Sequence, residues 1–415
     1  MQGLHLTADL YGCACQPSLL TSAQALATLC EVAVEQSALT RVAERFFTFP
    51  DYLGQPGGVT GAVLLAESHL ALHTWPERNS VTLDVYVCNF STDNSAKAER
   101  LLAALIIAFA PAKQNSNRIL RGSADPDSQS GELLLEWLNK DSAFGFRASR
   151  RIETMRSAFQ TIEVFDTPQF GKLFRLDGSY MTSERDEFFY HEALVHPVAL
   201  AHPNPSCALV VGGGDGGSSE ELLKHPSITR IVIAELDPEV IRIAKQHLRS
   251  VHRDVFDHPK VELKITDGFA FVRDSDETFD LVILDLTDPE TPAHQLYGAQ
   301  FFALVKARLR PGGALVLHIG SPIYAPQRVE QLIALLAAHF AGVYPLGLYI
   351  PLYGSYWGLA IASDGLNPSA IAPQLIEQRL RERTIGDLSY YNGDVHRALF
   401  ALPNFYRRLL PAAHR

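Results

Sequence analysis

The chain has 415 residues, 47% of them apolar and 20% charged, with a formal net charge of −10. That length exceeds one ordinary core and predicts two or three domains, while the acidic balance argues against nucleic acid, which selects basic surfaces. The longest apolar run, LLAALIIAFAPA at 101–112, is too short for a bilayer span and suits a buried helix, so no membrane partner is expected.

The start, MQGLHLTADLYG, has no basic segment ahead of an apolar core, so a secretory leader is not expected. Five scattered cysteines, an odd number, predict reduced thiols and a cytoplasmic location. Beyond one Cys-Ala-Cys, no second Cys or His pair stands at ligand spacing, so no zinc or other metal is expected. In chain order, LHLTADLYG predicts a strand and SAQALATLCEVAVEQSA an amphipathic helix opened by Ser22 as N-cap. RVAERFFTF, VTGAVLLAESHLALHTW and VTLDVYVCNF follow as strands, and DNSAKAERLLAALIIAFA as a second helix. The second of these strands is strongly apolar with poor alternation, which predicts cover on both faces. Residues 1–120 therefore read as an α/β sandwich, and RGSADPDSQSGE at 121–132 as a linker.

Within that apolar run, AESHLALHTWPE holds Glu67, Ser68, His69 and His73. Buried polar groups cost free energy unless they are hydrogen-bonded or used. From these residues alone, an idle sheet-edge Ser and His stands level with catalysis.

Residues 133–195 predict a small β domain, with Asp177-Gly178 as a hairpin signal. From 196 to 415, apolar runs alternate with helical segments, the mark of a parallel, doubly wound, Rossmann-like sheet. PQLIEQRLRERT and ALFALPNFYRRLL predict helical pieces near the end. LVVGGGDGG at 209–217 ends a strand and opens a helix, where glycines such as Gly212 and Gly214 let a ligand approach the backbone. Glu235 closes the next strand, where an acid can take two ribose hydroxyls. Asp267-Gly268 follows the third, where an adenine amino group can be read. This order suits an adenosyl-sulfonium ligand better than a dinucleotide, because no nicotinamide half follows. Asp285 and Asp288 stand together at the carboxyl end of the fourth strand, the ligand-binding edge of such sheets. Two carboxylates there suit an amine: one anchors an ammonium while the other removes a proton.

GGGDGG, ERDEFFYHE, DLTDP and IPLYGSYWG, in that order, resemble the spermidine synthase (polyamine aminopropyltransferase) family over residues 133–415. The resemblance implies decarboxylated S-adenosylmethionine as donor, with Asp215 as counter-charge to its aminopropyl ammonium. Gln160, His191, Gly212, Gly214, Glu235, Asp267 and Gly268 would complete the donor site. Asp285 would be the base, and Tyr190, Asp288 and Tyr353 would line the acceptor channel. His191 stands where many members carry Gln, and PETPAHQLYG departs from the usual run after Asp288. SYWG with QLYG is closer to the thermospermine synthase branch, which leaves the acceptor amine open.

HLTADLYGC, GVTGAVLLAESHLALHTWPE and LDVYVC resemble bacterial pyruvoyl S-adenosylmethionine decarboxylase across residues 3–120. The resemblance implies autocatalytic cleavage between Glu67 and Ser68, with Ser68 becoming the pyruvoyl cofactor. His73 would assist, and Cys88 would donate a proton after decarboxylation. Thr60 replaces a usual Ser, and RNSVTLD at 78–84 departs from the family's run. The expected protein is a bifunctional enzyme of polyamine biosynthesis, handling small molecules as a homo-oligomer. Alternatives are a first domain acting on ornithine or arginine, a non-catalytic first domain, and a plain methyltransferase.

Overall fold

The computed structural model describes residues 3–51, 54–89, 93–121, 131–288 and 292–411. The chain divides into two compact units, Met1–Ser130 and Gly131–Arg415. The expected linker at 121–132 lies almost wholly outside the described residues.

The first unit contains β1 (Gly3–Cys13), α1 (Ala23–Gln36), β2 (Thr40–Thr48), β3 (Val59–Ala66), β4 (Ser68–Trp75), β5 (Ser80–Cys88), α2 (Ser95–Phe109) and β6 (Pro111–Arg121). Ser22 caps α1 as expected, its hydroxyl accepting from the Ala25 N–H at 3.3 Å. The strands form one antiparallel sheet in the order β2-β3-β4-β5-β1-β6. Leu4, Leu6, Leu70, Leu72 and Val85 share one buried cluster with Leu26 and Val34 of α1 and Leu101 and Leu105 of α2. One face of the sheet is thus covered by helices and the other is open.

The run at 59–75 is not one strand covered on both faces. It is a hairpin, β3 and β4 joined through Glu67 alone, with burial alternating along both strands. The alternation is hard to see in the sequence because the open face is itself partly apolar: Leu64 and Phe47 are each 52% exposed there. A single 59–75 strand would also be far longer than usual. Strand β6 is polar and has little sequence signal; its backbone pairing with β1, from Gly3↔Arg121 to Cys13↔Pro111, creates it.

The second unit opens with a hairpin, β7 (Glu132–Asn139) and β8 (Ser142–Ala148), followed by a four-stranded antiparallel sheet. Its strands are β9 (Arg150–Arg156), β10 (Thr161–Thr167), β11 (Gly171–Leu176) and β12 (Ser179–Ser183). Asp177 and Gly178 join β11 to β12 with φ of 47° and 88°, the left-handed pair a tight hairpin turn needs. Helix α3 (Glu187–Ala201) leads into a seven-stranded sheet. That sheet is built from β13 (Cys207–Gly212), β14 (Arg230–Glu235), β15 (Val261–Ile265), β16 (Phe279–Asp285), β17 (Leu309–Gly320), β18 (Gly342–Ile350) and β19 (Ser355–Ser363).

The order is β15-β14-β13-β16-β17-β19-β18, parallel up to β17 and antiparallel beyond. Strands β13 and β16 are buried along nearly their whole length, as the centre of a doubly covered parallel sheet requires. The helix expected over PQLIEQRLRERT runs from Pro373 to Glu382. The segment after it is broken: one helix ends at Phe400, and a separate short turn starts beyond Pro403. Among the described residues no helix is long and apolar enough to cross a membrane.

Candidate active sites

The carboxyl ends of β13, β14 and β16 and the loop after β15 meet around a cavity of about 200 Å³. Gly212 has φ +79°, and a Cβ there would fall 2.2 Å from the Asp285 carbonyl oxygen, so glycine is what lets these strands close together. A Cβ on Gly214 would fall 2.8 Å from Glu235 Oε2 and would intrude on the acid that ends β14. All eight residues expected for the donor line this cavity: Gln160, His191, Gly212, Gly214, Asp215, Glu235, Asp267 and Gly268. Tyr190, Asp285 and Tyr353 line it too.

The charges are arranged as a relay. On α3, Glu187 and His191 are one turn apart, with Glu187 Oε2 2.7 Å from His191 Nδ1. His191 Nε2 faces Asp215 Oδ2 at 3.4 Å, and ligating atoms of His191, Asp215 and Asp285 all lie within 4.8 Å of one another. Burial disfavours the imidazolium, but the Asp215 and Glu187 carboxylates outweigh it and hold His191 well above the ordinary histidine range. Burial likewise opposes ionisation of Asp215, yet His191 and the Gly217 N–H keep it below the usual carboxylate range. Asp285 moves the other way. Burial, then the charge of Asp215, push it up to about 6, while Ser218 donates to its Oδ2 at 2.6 Å. Glu235 is pushed up to about 7, chiefly by burial.

Two of the expected residues also carry structure. Asp267 caps the helix that begins at Gly268, its Oδ1 accepting from the Phe269 N–H at 2.8 Å. The Gln160 amide donates to Asp237 Oδ2 at 3.1 Å, which leaves the amide oxygen as its other end.

A second cavity of about 40 Å³ is lined by Met181, Tyr190, Leu286, Thr287 and Tyr353, which the first shares, and by Asp288. It also holds Glu136, His318 and Trp357, which sequence reasoning missed. Two of them leave a faint local trace in the sequence. Glu136 shares the inward face of β7 with buried Leu134, and His318 sits near the carboxyl end of an otherwise apolar strand. Glu136 is pushed up to about 7, mainly by burial and further by the Asp288 charge.

In the first unit, Ser68 opens β4 and its Oγ accepts from the Cys88 backbone N–H at 2.8 Å. The same N–H reaches the Glu67 carbonyl oxygen at 3.2 Å. The hydroxyl and the carbonyl it would attack are therefore gathered on one donor. His73 is not brought to Ser68. It lies five residues along β4, roughly 17 Å away at about 3.4 Å per residue, and an odd spacing puts it on the opposite face. Its Nδ1 is instead 2.8 Å from Thr60 Oγ1 on β3.

Three family profiles match the chain: S-adenosylmethionine decarboxylase at residues 4–122, spermidine synthase tetramerisation domain at 149–184, and spermine/spermidine synthase domain at 187–369. The polyamine aminopropyltransferase of Nitrosomonas europaea is 44% identical over 285 residues, covering 69% of this chain and 88% of that one. The enzyme of the same name from Sulfurisphaera tokodaii is 34% identical, covering 66% of this chain and 92% of its own. A crystal structure of spermidine synthase in complex with the transition-state analogue AdoDATO superposes with a TM-score of 0.65 at 30% identity, over 69% of this chain and 98% of that one. The spermidine synthase of Thermotoga maritima gives a TM-score of 0.64 at 30% identity, over 69% of this chain and 97% of its own. The chain belongs to the polyamine aminopropyltransferase family, with an S-adenosylmethionine decarboxylase domain preceding its spermidine synthase domains.

Proposed function

We propose that the first unit cleaves itself between Glu67 and Ser68, carries the resulting pyruvoyl group, and decarboxylates S-adenosylmethionine. The second unit then transfers the aminopropyl group of that product to putrescine, giving spermidine and methylthioadenosine. The observation that carries this reading is Asp215, an ionised carboxylate in the Gly-rich loop facing the larger cavity. A decarboxylated donor presents an ammonium at that point, whereas a donor retaining its carboxylate would meet like charge.

In this reading Glu235 takes the ribose hydroxyls, Asp267 and Gly268 read the adenine, and Gln160 and His191 complete the donor site. Asp285 removes the proton from the attacking amine, Tyr190 and Tyr353 wall its path, and Asp288 anchors its far end. The amine attacks in line at the carbon next to the sulfonium, and the leaving group departs neutral. Such a step asks for positioning and proton removal above all.

A pyruvoyl carbonyl supplies the electron sink that loss of CO₂ requires. The residues at Ser68 fit its formation, since the Cys88 N–H is placed to stabilise charge growing on the Glu67 carbonyl oxygen. Because His73 points away from Ser68 in its own chain, its assisting role falls to a second copy that brings its own His73 to Ser68. A homo-oligomer accords with the tetramerisation-domain profile in the second unit.

The test supplies purified protein with S-adenosylmethionine and putrescine, then with ornithine or arginine, and follows CO₂ and polyamines. Spermidine and methylthioadenosine should form from the first mixture with no decarboxylated donor added. CO₂ from ornithine or arginine alone would reassign the first unit, and an uncut, inert first unit would make it a structural module. A longer product formed better from spermidine would change the acceptor.

A further inference from the structure

Asp285 has a neighbour to which no role above is given. Ser218 is fully buried in the first turn of the helix Gly217–Leu223, and its Oγ lies 2.6 Å from Asp285 Oδ2. An ionised carboxylate has no proton to give, so the serine donates, and this length is that of a hydroxyl bonded to a charged acceptor. The Asp285 main chain is already fixed, because the Gly213 N–H donates to its carbonyl at 2.8 Å. That bond does not fix the carboxyl, since the last torsion of an aspartate is broad and turns with little resistance. Gly213 leaves a niche for Oδ2, where a Cβ on that glycine would fall 3.3 Å away. Ser218 holds Oδ2 in this niche, which leaves Oδ1 to meet what the cavity holds.

We propose that Ser218 is a positioning residue for the transfer: by tying back Oδ2 it presents Oδ1 of Asp285 to the attacking amine. The proton leaving that nitrogen goes to Oδ1, the C–N bond forms, and the C–S electron pair departs with sulfur. This rests on the aminopropyl transfer proposed above and names the atom that acts as its base. The other groups facing the Asp285 carboxyl are Asp215 in the Gly-rich loop, His191 and Tyr190 on α3, Glu235 at the end of β14 and Tyr353 after β18. Burial and then Asp215 oppose its charge, whereas His191, Ser218 and Tyr190 favour it. A bond made to the charged form steadies that form, so losing the serine hydroxyl makes Asp285 harder to ionise. Ser219 supplies a control. It is equally buried on the same turn, and its hydroxyl has no hydrogen-bond partner among the described residues.

The experiment supplies decarboxylated S-adenosylmethionine and putrescine and follows kcat/KM against pH for Ser218→Ala, Ser218→Val and Ser218→Thr. Each is taken as a ratio to the wild type, in which the amine's own titration cancels. Losing a hydrogen bond to a charged group corresponds to roughly a tenfold or greater change. The acid limb of Ser218→Ala should therefore move up by about one pH unit, so that its ratio falls about tenfold between about pH 8 and about pH 5. Val and Thr fill nearly the same volume, so an effect of packing would move them together. Ser218→Thr, which keeps the hydroxyl, should stay near the wild-type limb, and Ser218→Val should follow Ser218→Ala. Ser219→Ala should leave the limb in place. If Ser218→Ala keeps the wild-type limb, if Thr and Val shift alike, or if Ser219→Ala shifts as far as Ser218→Ala, the inference is overturned. A wild-type protein that makes no spermidine from the supplied donor would overturn the transferase reading, and this inference with it.

Discussion

At the scale of single residues, the neighbouring carboxylates Asp215 and Asp285 are driven in opposite directions, and that split sets the pH dependence of transfer. As the proposed base, Asp285 works only when ionised, so kcat/KM should lose about a further tenfold per pH unit below about 6. Asp215→Asn removes the charge that, after burial, raises Asp285, so this limb should move to lower pH while donor affinity drops. A limb that stays in place would show that Asp215 does not act on Asp285. Asp285→Asn should cost roughly 10²–10⁴-fold in transfer and leave CO₂ release intact. Glu235 gives a separate signal. Its carboxyl, raised to about 7, accepts hydroxyl donors best when ionised, so methylthioadenosine should bind more tightly as pH rises through that value. Calorimetric titration with Glu235→Gln should show a flat profile.

At the scale of elements, the β3–β4 hairpin separates two jobs of Cys88. Its backbone N–H serves Ser68 and Glu67, whereas its thiol is the group proposed above to donate a proton. Cys88→Ala should therefore still be cut into residues 1–67 and 68–415 on intact-mass analysis, yet release little CO₂. Ser68→Ala should stay whole. An uncut Cys88→Ala protein would move the thiol into the cleavage step. The transferase cavity was legible in the sequence because a parallel sheet places its ligands at strand ends, and Asp215, Glu235, Asp267 and Asp285 each follow an apolar run. The hairpin was less so, since Leu64 and Phe47 put apolar side chains on an open face and blurred the period. Glu136 and His318 were hidden differently. They come from strands far apart in sequence, and only the fold brings them into one cavity.

At the scale of the whole molecule, the separation of His73 from Ser68 makes a statement about copies. Co-expressed Ser68→Ala and His73→Ala chains should yield cut His73→Ala chains, because the His73→Ala chain keeps Ser68 and can borrow His73 from its partner. If His73→Ala remains uncut in the mixture, His73 acts within its own chain and the assistance from a second copy is wrong. Each unit builds its own buried cluster, from Leu4 to Phe109 in the first and from Leu134 onward in the second. Residues 131–415 alone should therefore retain transfer when decarboxylated donor is supplied. The strand order of the first sheet has one more consequence. A cut after Glu67 leaves β1, β2 and β3 on one fragment and β4, β5 and β6 on the other, and β1 lies between β5 and β6. The two pieces of such a cut would be woven together rather than laid side by side, a weave assembled while they were still one chain. Renaturation of mature protein would then be a second-order encounter between fragments, slowing on dilution, whereas Ser68→Ala would refold at a rate independent of concentration. If the proposed cut occurs, the durability of the working enzyme is a matter of lifetime rather than equilibrium, because cleavage removes the route by which the chain first folded.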